Sequence, residues 1–467
     1  MTMRIPFSLF LIITQKILWA NGGCSYNKDL RHCSCSLVDL TNVMSIVSCI
    51  QASSLEFQGG RFVDTEEYSL HNVEMEQVLA MIHLPLSKVV FANVVISEEF
   101  LFSFLNWVQR IQINMLAFVN TTFEGKSNSQ PMVGSPPQIL SLQVINGSSY
   151  PLFDRVSDFT GLRSWIFKLE ELILTKSQLS GIPCNTSRQF KVLSSLDLSE
   201  NLLQDENVSS SFCQGAFPNI KTLKLHHNYL INFDTICQTL NKENQLKHLD
   251  LSRNNLSSAA ASLCEWQPSL TLLNLSDTGL KELHHILPRN CEILDLSYNK
   301  LYALNLSLPS LRELHLSHNL FTTISSIGIF PLLQILAIDG NPMKTLQRGQ
   351  LQYFRHMSTV RADNIPYICS CSLVHDINEM TMSSLTFQQW PDGYVCDSPD
   401  SLKGQRVSEV ELSFFECHKP LLSVLICIVS LLVVVAVVVC IHKFHQSKKT
   451  RLQNLQRSNV CNMQFQT

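Results

Sequence analysis

Between Leu169 and Met343 one eleven-residue phrase is written eight times. The copies read LEELILTKSQL, LSSLDLSENLL, IKTLKLHHNYL, LKHLDLSRNNL, LTLLNLSDTGL, CEILDLSYNKL, LRELHLSHNLF and LQILAIDGNPM. Each fits L-x-x-L-x-L-x-x-N-x-L. The ninth position holds Ser177, Asn201, Asn228, Asn254, Thr278, Asn299, Asn319 and Asn341, at steps of 24, 27, 26, 24, 21, 20 and 22 residues. A Leu-x-Leu pair does not stay on one helical face, so an amphipathic helix is excluded. In a strand, alternate side chains point to opposite faces, and the pair stays together.

The phrase is the leucine-rich repeat. Leucines at positions 1, 4, 6 and 11 face inward and stack on those of the next coil. An Asn at position 9 turns the chain, and its amide bonds backbone groups that would otherwise be buried unpaired. Ser and Thr serve that role less completely. No coil can bury its apolar side alone, so stacking is obligatory. The fold class is therefore α/β: a leucine-rich-repeat solenoid, a curved horseshoe with parallel strands on the concave face. Disulfide-stapled caps at both ends and one transmembrane helix complete it.

Sixteen cysteines in ordered clusters indicate an oxidising compartment. Asn-x-Ser/Thr acceptors stand at Asn120, Asn146, Asn185, Asn207, Asn255, Asn274 and Asn305, all before residue 420. The net charge of −3 is uneven. Residues 1–20 hold two Lys/Arg and residues 442–467 five, with no acid in either, which leaves −10 on 21–441. So acidic a segment argues against a nucleic-acid partner.

In chain order, residues 1–20 read as a signal peptide, with Arg4 before the apolar run Ile5–Ile13 and the small Ala20 at its end. An amino-terminal cap over 21–60 carries Cys24, Cys33, Cys35 and Cys49. Repeats fill 61–343, degenerate to about 168 and regular over 169–343. Residues 50–168 are rich in large apolar side chains: Phe57, Phe62, Phe91, Phe100, Phe102, Phe104, Leu105, Trp107, Phe118 and Phe123. They form either repeat core or the walls of a lipid pocket beside the cap. Residues 128–137 (NSQPMVGSPP) read as a loop. Cys184 with Cys213, and Cys237 with Cys264, sit at similar offsets between repeats, where each pair could staple neighbouring coils. Cys291 takes a leucine position and is expected as a buried thiol.

A carboxyl-terminal cap spans 344–418, with Cys369, Cys371, Cys396 and Cys417. Cys369–Cys396 with Cys371–Cys417 is the expected pairing of the three that four cysteines allow. Residues 421–441 are 21 in number, uncharged and long enough to cross a bilayer. Lys443, Lys448, Lys449 and Arg451 follow, which sets the tail 442–467 on the cytoplasmic side of a single-pass type I protein at the cell membrane. The tail is too short for a folded signalling domain, and Cys440 is a candidate acylation site.

The run CSYNKDLRHCSCSL from Cys24, the cysteine order, and the stretches SSSFCQGAFPNIKTLKL and SLTLLNLSDTGLKEL resemble the monocyte differentiation antigen family of lipopolysaccharide co-receptors. The resemblance runs over residues 24–310. It implies the pairs Cys24–Cys35, Cys33–Cys49, Cys184–Cys213 and Cys237–Cys264. That family ends in a glycolipid anchor. Here WPDGYVCDSPDSLKGQRVSEVELSFFECH and the apolar span are instead similar to the juxtamembrane part of lipopeptide-sensing Toll-like receptors, without their TIR domain.

The resemblance implies capture of lipopolysaccharide, lipopeptide or another acylated microbial product. Its acyl chains would enter an amino-terminal apolar pocket built from Phe57, Phe62, Phe91, Phe100, Phe102 and Leu105, and pass to a Toll-like receptor complex. Each buried methylene contributes about 0.8 kcal/mol. Lys28, Arg31, Arg61, Lys88 and Arg110 are candidates for the pocket rim. A homodimer fits the same reading. The alternative is a Toll-like ectodomain acting by protein contact as a decoy or modulator. No phosphate loop, G-x-S-x-G elbow or H-E-x-x-H motif occurs, so neither an enzyme nor a cofactor is expected. The adjacent pairs His226–His227 and His284–His285 face opposite ways on a strand, and C-x-C in a secreted chain argues for disulfides, so no metal is expected.

Overall fold

The computed structural model describes residues 23–463, except 37–47, 63–85, 98–99, 102–103, 106–107, 109–112, 125–137, 149–165, 258–263, 284–286 and 329. The segment 1–20, the loop 128–137, Phe102, Trp107, Arg110 and the His284–His285 pair lie outside the described residues.

One sheet of sixteen strands carries the fold, and its strands follow each other in space as in sequence. It opens with an antiparallel hairpin, Cys24–Asn27 against His32–Ser36. The Asn27 carboxamide oxygen tightens its turn by accepting from the Asp29 and Leu30 amides at 3.0 and 3.1 Å. From there every step is parallel, through Ser54–Gln58, Lys88–Ala92, Met115–Val119, Ser141–Ile145 and Glu171–Thr175 to the three-residue strands of the regular coils. The register keeps like positions together: Leu196, Leu223, Leu249, Leu273, Leu294, Leu314 and Leu336 are successive partners, all fully buried.

Coil length decides what closes each coil behind the sheet. The 27- and 26-residue steps have room for the helices Asp205–Ser211 and Phe233–Leu240. The second begins at Asn232, whose side chain accepts from the Thr235 amide at 3.0 Å. The shorter coils near Leu294 and Leu314 close with turns and the 3₁₀ segment Ile324–Ser326.

The asparagine ladder locks coil to coil. The amide of Asn254 donates to Leu251 and Ser252 carbonyls in its own coil and to Leu225 in the one before, at 2.9–3.2 Å. Its oxygen accepts from the Asn228 and Leu230 amides of that earlier coil. Asn201, Asn299, Asn319 and Asn341 likewise donate back to Leu174, Leu275, Leu296 and Leu316. Thr278 donates its hydroxyl to its own coil's Leu275 carbonyl and to the Asn299 side-chain oxygen, and Ser177 donates to the Thr175 carbonyl while accepting from the Gly147 amide. Among the described residues neither hydroxyl donates to a carbonyl of the coil before, the bond that an asparagine amide adds.

Disulfides join Cys24–Cys35, Cys33–Cys49, Cys184–Cys213, Cys237–Cys264, Cys369–Cys396 and Cys371–Cys417. At the carboxyl end the helix Cys371–Thr381 starts at Ser370, whose hydroxyl accepts from the Leu373 amide. It closes the solenoid together with the buried Tyr367 and Tyr394, whose hydroxyls bond Ala362 and Gln388 carbonyls. The helix Lys419–Met463 follows. Its apolar part is long enough to cross a membrane, and none of it is buried.

Candidate functional site

Two regions depart from a plain leucine core. The first lies in the coils next to the amino-terminal cap. The strand residues Phe57, Phe91 and Phe118 occupy one register and stack in a ladder, with ring centroids 5.3 and 5.6 Å apart. Leucine dominates this row elsewhere, as at Leu174. Behind them a second sheet of three short strands, Arg61–Phe62, Val95–Ser97 and Thr122–Glu124, brings Phe62 and Phe123 against the ladder. Arg61 and Glu124 form an ion pair across its outer strands. Phe62 also stacks on Phe100 at 4.3 Å.

Of the six pocket candidates, Phe91 and Leu105 are completely buried, and Phe57, Phe62 and Phe100 are half-buried against the same cluster. Phe102 lies outside the described residues. Edge and face contacts within this cluster supply about 0.5–1.5 kcal/mol per pair beyond burial. The three half-buried rings share one side of it. Among the rim candidates, Lys28 and Arg31 are exposed, and Lys88 stands half-buried in the strand beside Phe91.

The second region is polar. A cavity of about 280 Å³ opens where the sheet face turns into the asparagine loops, between Ser276 and Gln388. Asp339, 1 % exposed, accepts from the Ser317 hydroxyl and meets the Arg361 guanidinium at 3.4 Å and His318 at 3.9 Å. Asp363 fixes the same guanidinium at 3.0 Å and, as the chief cause, raises its pKa. Tyr298 lays one ring face on His318 at 4.5 Å and is otherwise exposed. Gly340 has φ +66°, and a Cβ there would collide with the His318 ring, so this coil needs glycine. Sequence reasoning did not find this region. Its residues lie on or just after six successive strands of the sheet, and each alone reads as a solvated repeat position.

Cys291 is a buried free thiol that donates to the Ile293 carbonyl at 3.2 Å, and burial pushes its pKa up to about 12, so it is unreactive. Cys24, Cys35 and Cys49 lie within metal-binding distance of one another, but their sulfurs are committed to disulfides.

Of the seven acceptor asparagines, Asn120 and Asn146 join Asn93 in a chain of side-chain hydrogen bonds, and Asn207 caps the helix Asp205–Ser211. Asn185 stands in the helix Cys184–Ser187, and Asn255 follows the ladder residue Asn254. Asn274 is on the sheet face and Asn305 is exposed.

The pattern described as "Leucine Rich Repeat" matches residues 245–266 and 310–332, and that described as "Leucine rich repeat C-terminal domain" matches 393–418. Toll-like receptor 2 of Macaca mulatta is 33% identical over 366 residues, 77% of this chain and 46% of the receptor. The Homo sapiens receptor is 31% identical over 399 residues, 84% and 50% of the two chains. That of Mus musculus is 29% identical over 422 residues, 90% and 53%. The chain thus spans about half the length of these curated relatives. Among solved structures, the mouse RP105/MD-1 complex aligns with a TM-score of 0.45 at 15% identity, covering 78% of this chain and 68% of that one. The chain is a leucine-rich-repeat solenoid with sequence homology to Toll-like receptor 2.

Proposed function

We propose that the chain is an innate immune co-receptor that binds lipopolysaccharide or another acylated microbial product at its amino-terminal coils and delivers it to a Toll-like receptor complex. The observation that carries this reading is the aromatic cluster around Phe91, with Phe57, Phe62 and Phe100 half-buried on one side of it. An acyl chain laid against these half-buried rings would exchange water for apolar contact beside the cap. Homology to Toll-like receptor 2 supports a Toll-like receptor setting, and the ligand class is what the resemblance of the cap to the monocyte differentiation antigen family implies. The apolar helix from Leu421 and the lysines after it support a type I orientation at the cell surface.

The test is uptake of a fluorescent lipid A and a fluorescent lipopeptide by cells displaying the chain. Phe57→Asp and Phe62→Asp should each reduce uptake at least about tenfold, since a charge in an apolar contact is strongly disfavoured. Uptake unchanged in both variants, at equal surface display, contradicts the reading.

A second reading is binding of a protein partner. It is favoured by exposed apolar side chains just after the asparagine ladder, Leu202, Tyr229 and Ile231 in two adjacent coils and Tyr302 and Leu320 in two later ones. Co-precipitation with a Toll-like receptor in the absence of lipid, lost in Tyr229→Asp, would select it.

A further inference from the structure

The cavity near Asp339 has the composition that holds a sugar. Hydroxyls need carboxylate, guanidinium and hydroxyl partners, and the C–H face of a pyranose needs an aromatic surface. Asp295 offers a carboxylate that forms no ion pair among the described residues, Arg361 a guanidinium, and Tyr298 an exposed ring. At about 280 Å³ the cavity lies just below the range of drug-sized ligand sites, which begins at about 300 Å³. A short saccharide suits it better than a bundle of acyl chains.

The neighbouring strand supplies a point of attachment. At positions 5 to 7 of the repeat the chain writes Asp197-Leu198-Ser199, Asp250-Leu251-Ser252 and Asp295-Leu296-Ser297. In each, the carboxylate accepts from the serine amide, at 3.0, 2.9 and 2.9 Å. The coil between the last two reads Asn274-Leu275-Ser276, and the Asn274 oxygen accepts from the Ser276 amide at the same 2.9 Å. Aspartate serves this turn equally well. What asparagine adds is an amide nitrogen not used by the turn, inside an Asn-x-Ser acceptor. Asn274 pairs with Asp295 across the sheet, and Ser276 itself lines the cavity.

We propose that Asn274 carries an N-linked glycan whose first sugars fold back into this cavity, against Asp295, Tyr298 and Arg361. The attachment uses a lipid-pyrophosphate oligosaccharide as donor. The Asn274 amide nitrogen bonds the anomeric carbon, that carbon's bond to phosphate breaks, the amide loses one proton and the lipid pyrophosphate leaves. The sheet face from Ser276 to Gln388 is then filled by the chain's own saccharide, which leaves the amino-terminal coils open to an external ligand. This inference does not rest on the lipid-binding reading.

The test uses the full chain from secretory eukaryotic cells, treated natively with peptide N-glycosidase. That enzyme leaves aspartate where a glycosylated asparagine stood, so peptide mass spectrometry reads release site by site. Release at Asn274 should be about tenfold slower than at the glycosylated sites among Asn185, Asn207 and Asn305, a ratio equivalent to roughly 1.4 kcal/mol of packing. Denaturation should equalise the rates. Tyr298→Ala, at an exposed position, should raise the native rate at Asn274. Asn274→Asp keeps the turn, and this variant should bind free diacetylchitobiose in saturation-transfer NMR where the glycosylated chain does not. An unmodified Asn274, or native release as fast as elsewhere, would overturn the proposal. So would an Asn274→Asp chain that binds free glucose- or heptose-containing saccharides but not chitobiose, which would assign the cavity to an external glycan.

Discussion

At the scale of single residues, the asparagine ladder ties each coil to its neighbour. Asn254 satisfies three carbonyls and two amides inside the solenoid. Asn254→Ala should destabilise the chain by about 3–5 kcal/mol, because each buried group left unpaired costs about 1–3 kcal/mol. Thr278→Asn should act in the opposite sense. It adds the missing bond to the Leu251 carbonyl and should stabilise by roughly 1 kcal/mol, read by chemical denaturation. Glu243 is a different case. Burial behind the helix Phe233–Leu240 raises its pKa to about 7. A carboxyl whose folded pKa exceeds its unfolded value of 4.5 is least unfavourable when protonated, so stability should fall as pH rises from about 4.5 through 7. Glu243→Gln should remove that dependence and be the more stable chain at pH 8, by on the order of 1–3 kcal/mol.

At the scale of elements, the Leu-x-Leu strands and the ladder asparagines were legible from the sequence because each repeats with one period and one physical task. Cys291 was legible for the same reason, standing where leucine belongs. The three-stranded sheet behind the phenylalanines was not. Its strands Arg61–Phe62, Val95–Ser97 and Thr122–Glu124 are two or three residues long, too short to show alternation. The backbone at position 8 was equally hidden. Lys176, Glu200, His227, Arg253, Asp277, Tyr298 and His318 all take positive φ between 53° and 58°, to turn the chain into the ladder. These are ordinary residues in a conformation that favours glycine, held there by the bonds on either side. Disulfides act between elements. Cys184–Cys213 ties the helix Cys184–Ser187 to the segment after Asp205–Ser211 across 29 residues. Replacing both cysteines with serine should lower stability by about 2–4 kcal/mol in denaturant titration, with the fold retained by its neighbours.

For the whole molecule, the solenoid divides by composition. Aromatic coils stand at the amino end, leucine coils follow, and a polar cavity lies near the carboxyl cap. The last helix adds a segment that no solenoid residue covers. Cells expressing the chain should retain it in the membrane fraction through alkaline carbonate washing, and extracellular protease should leave the segment after Lys443 intact, as a type I orientation requires. The central claim is that the amino-terminal coils bind an acyl chain. Its most direct measurement is photo-crosslinking of a diazirine-tailed lipopeptide to the full chain on cells, with peptides mapped by mass spectrometry. Crosslinks confined to residues 55–123, and lost with Phe57→Asp, are the expected result. Crosslinks only beyond Ser276, or none above background while the chain is folded and displayed, would contradict it.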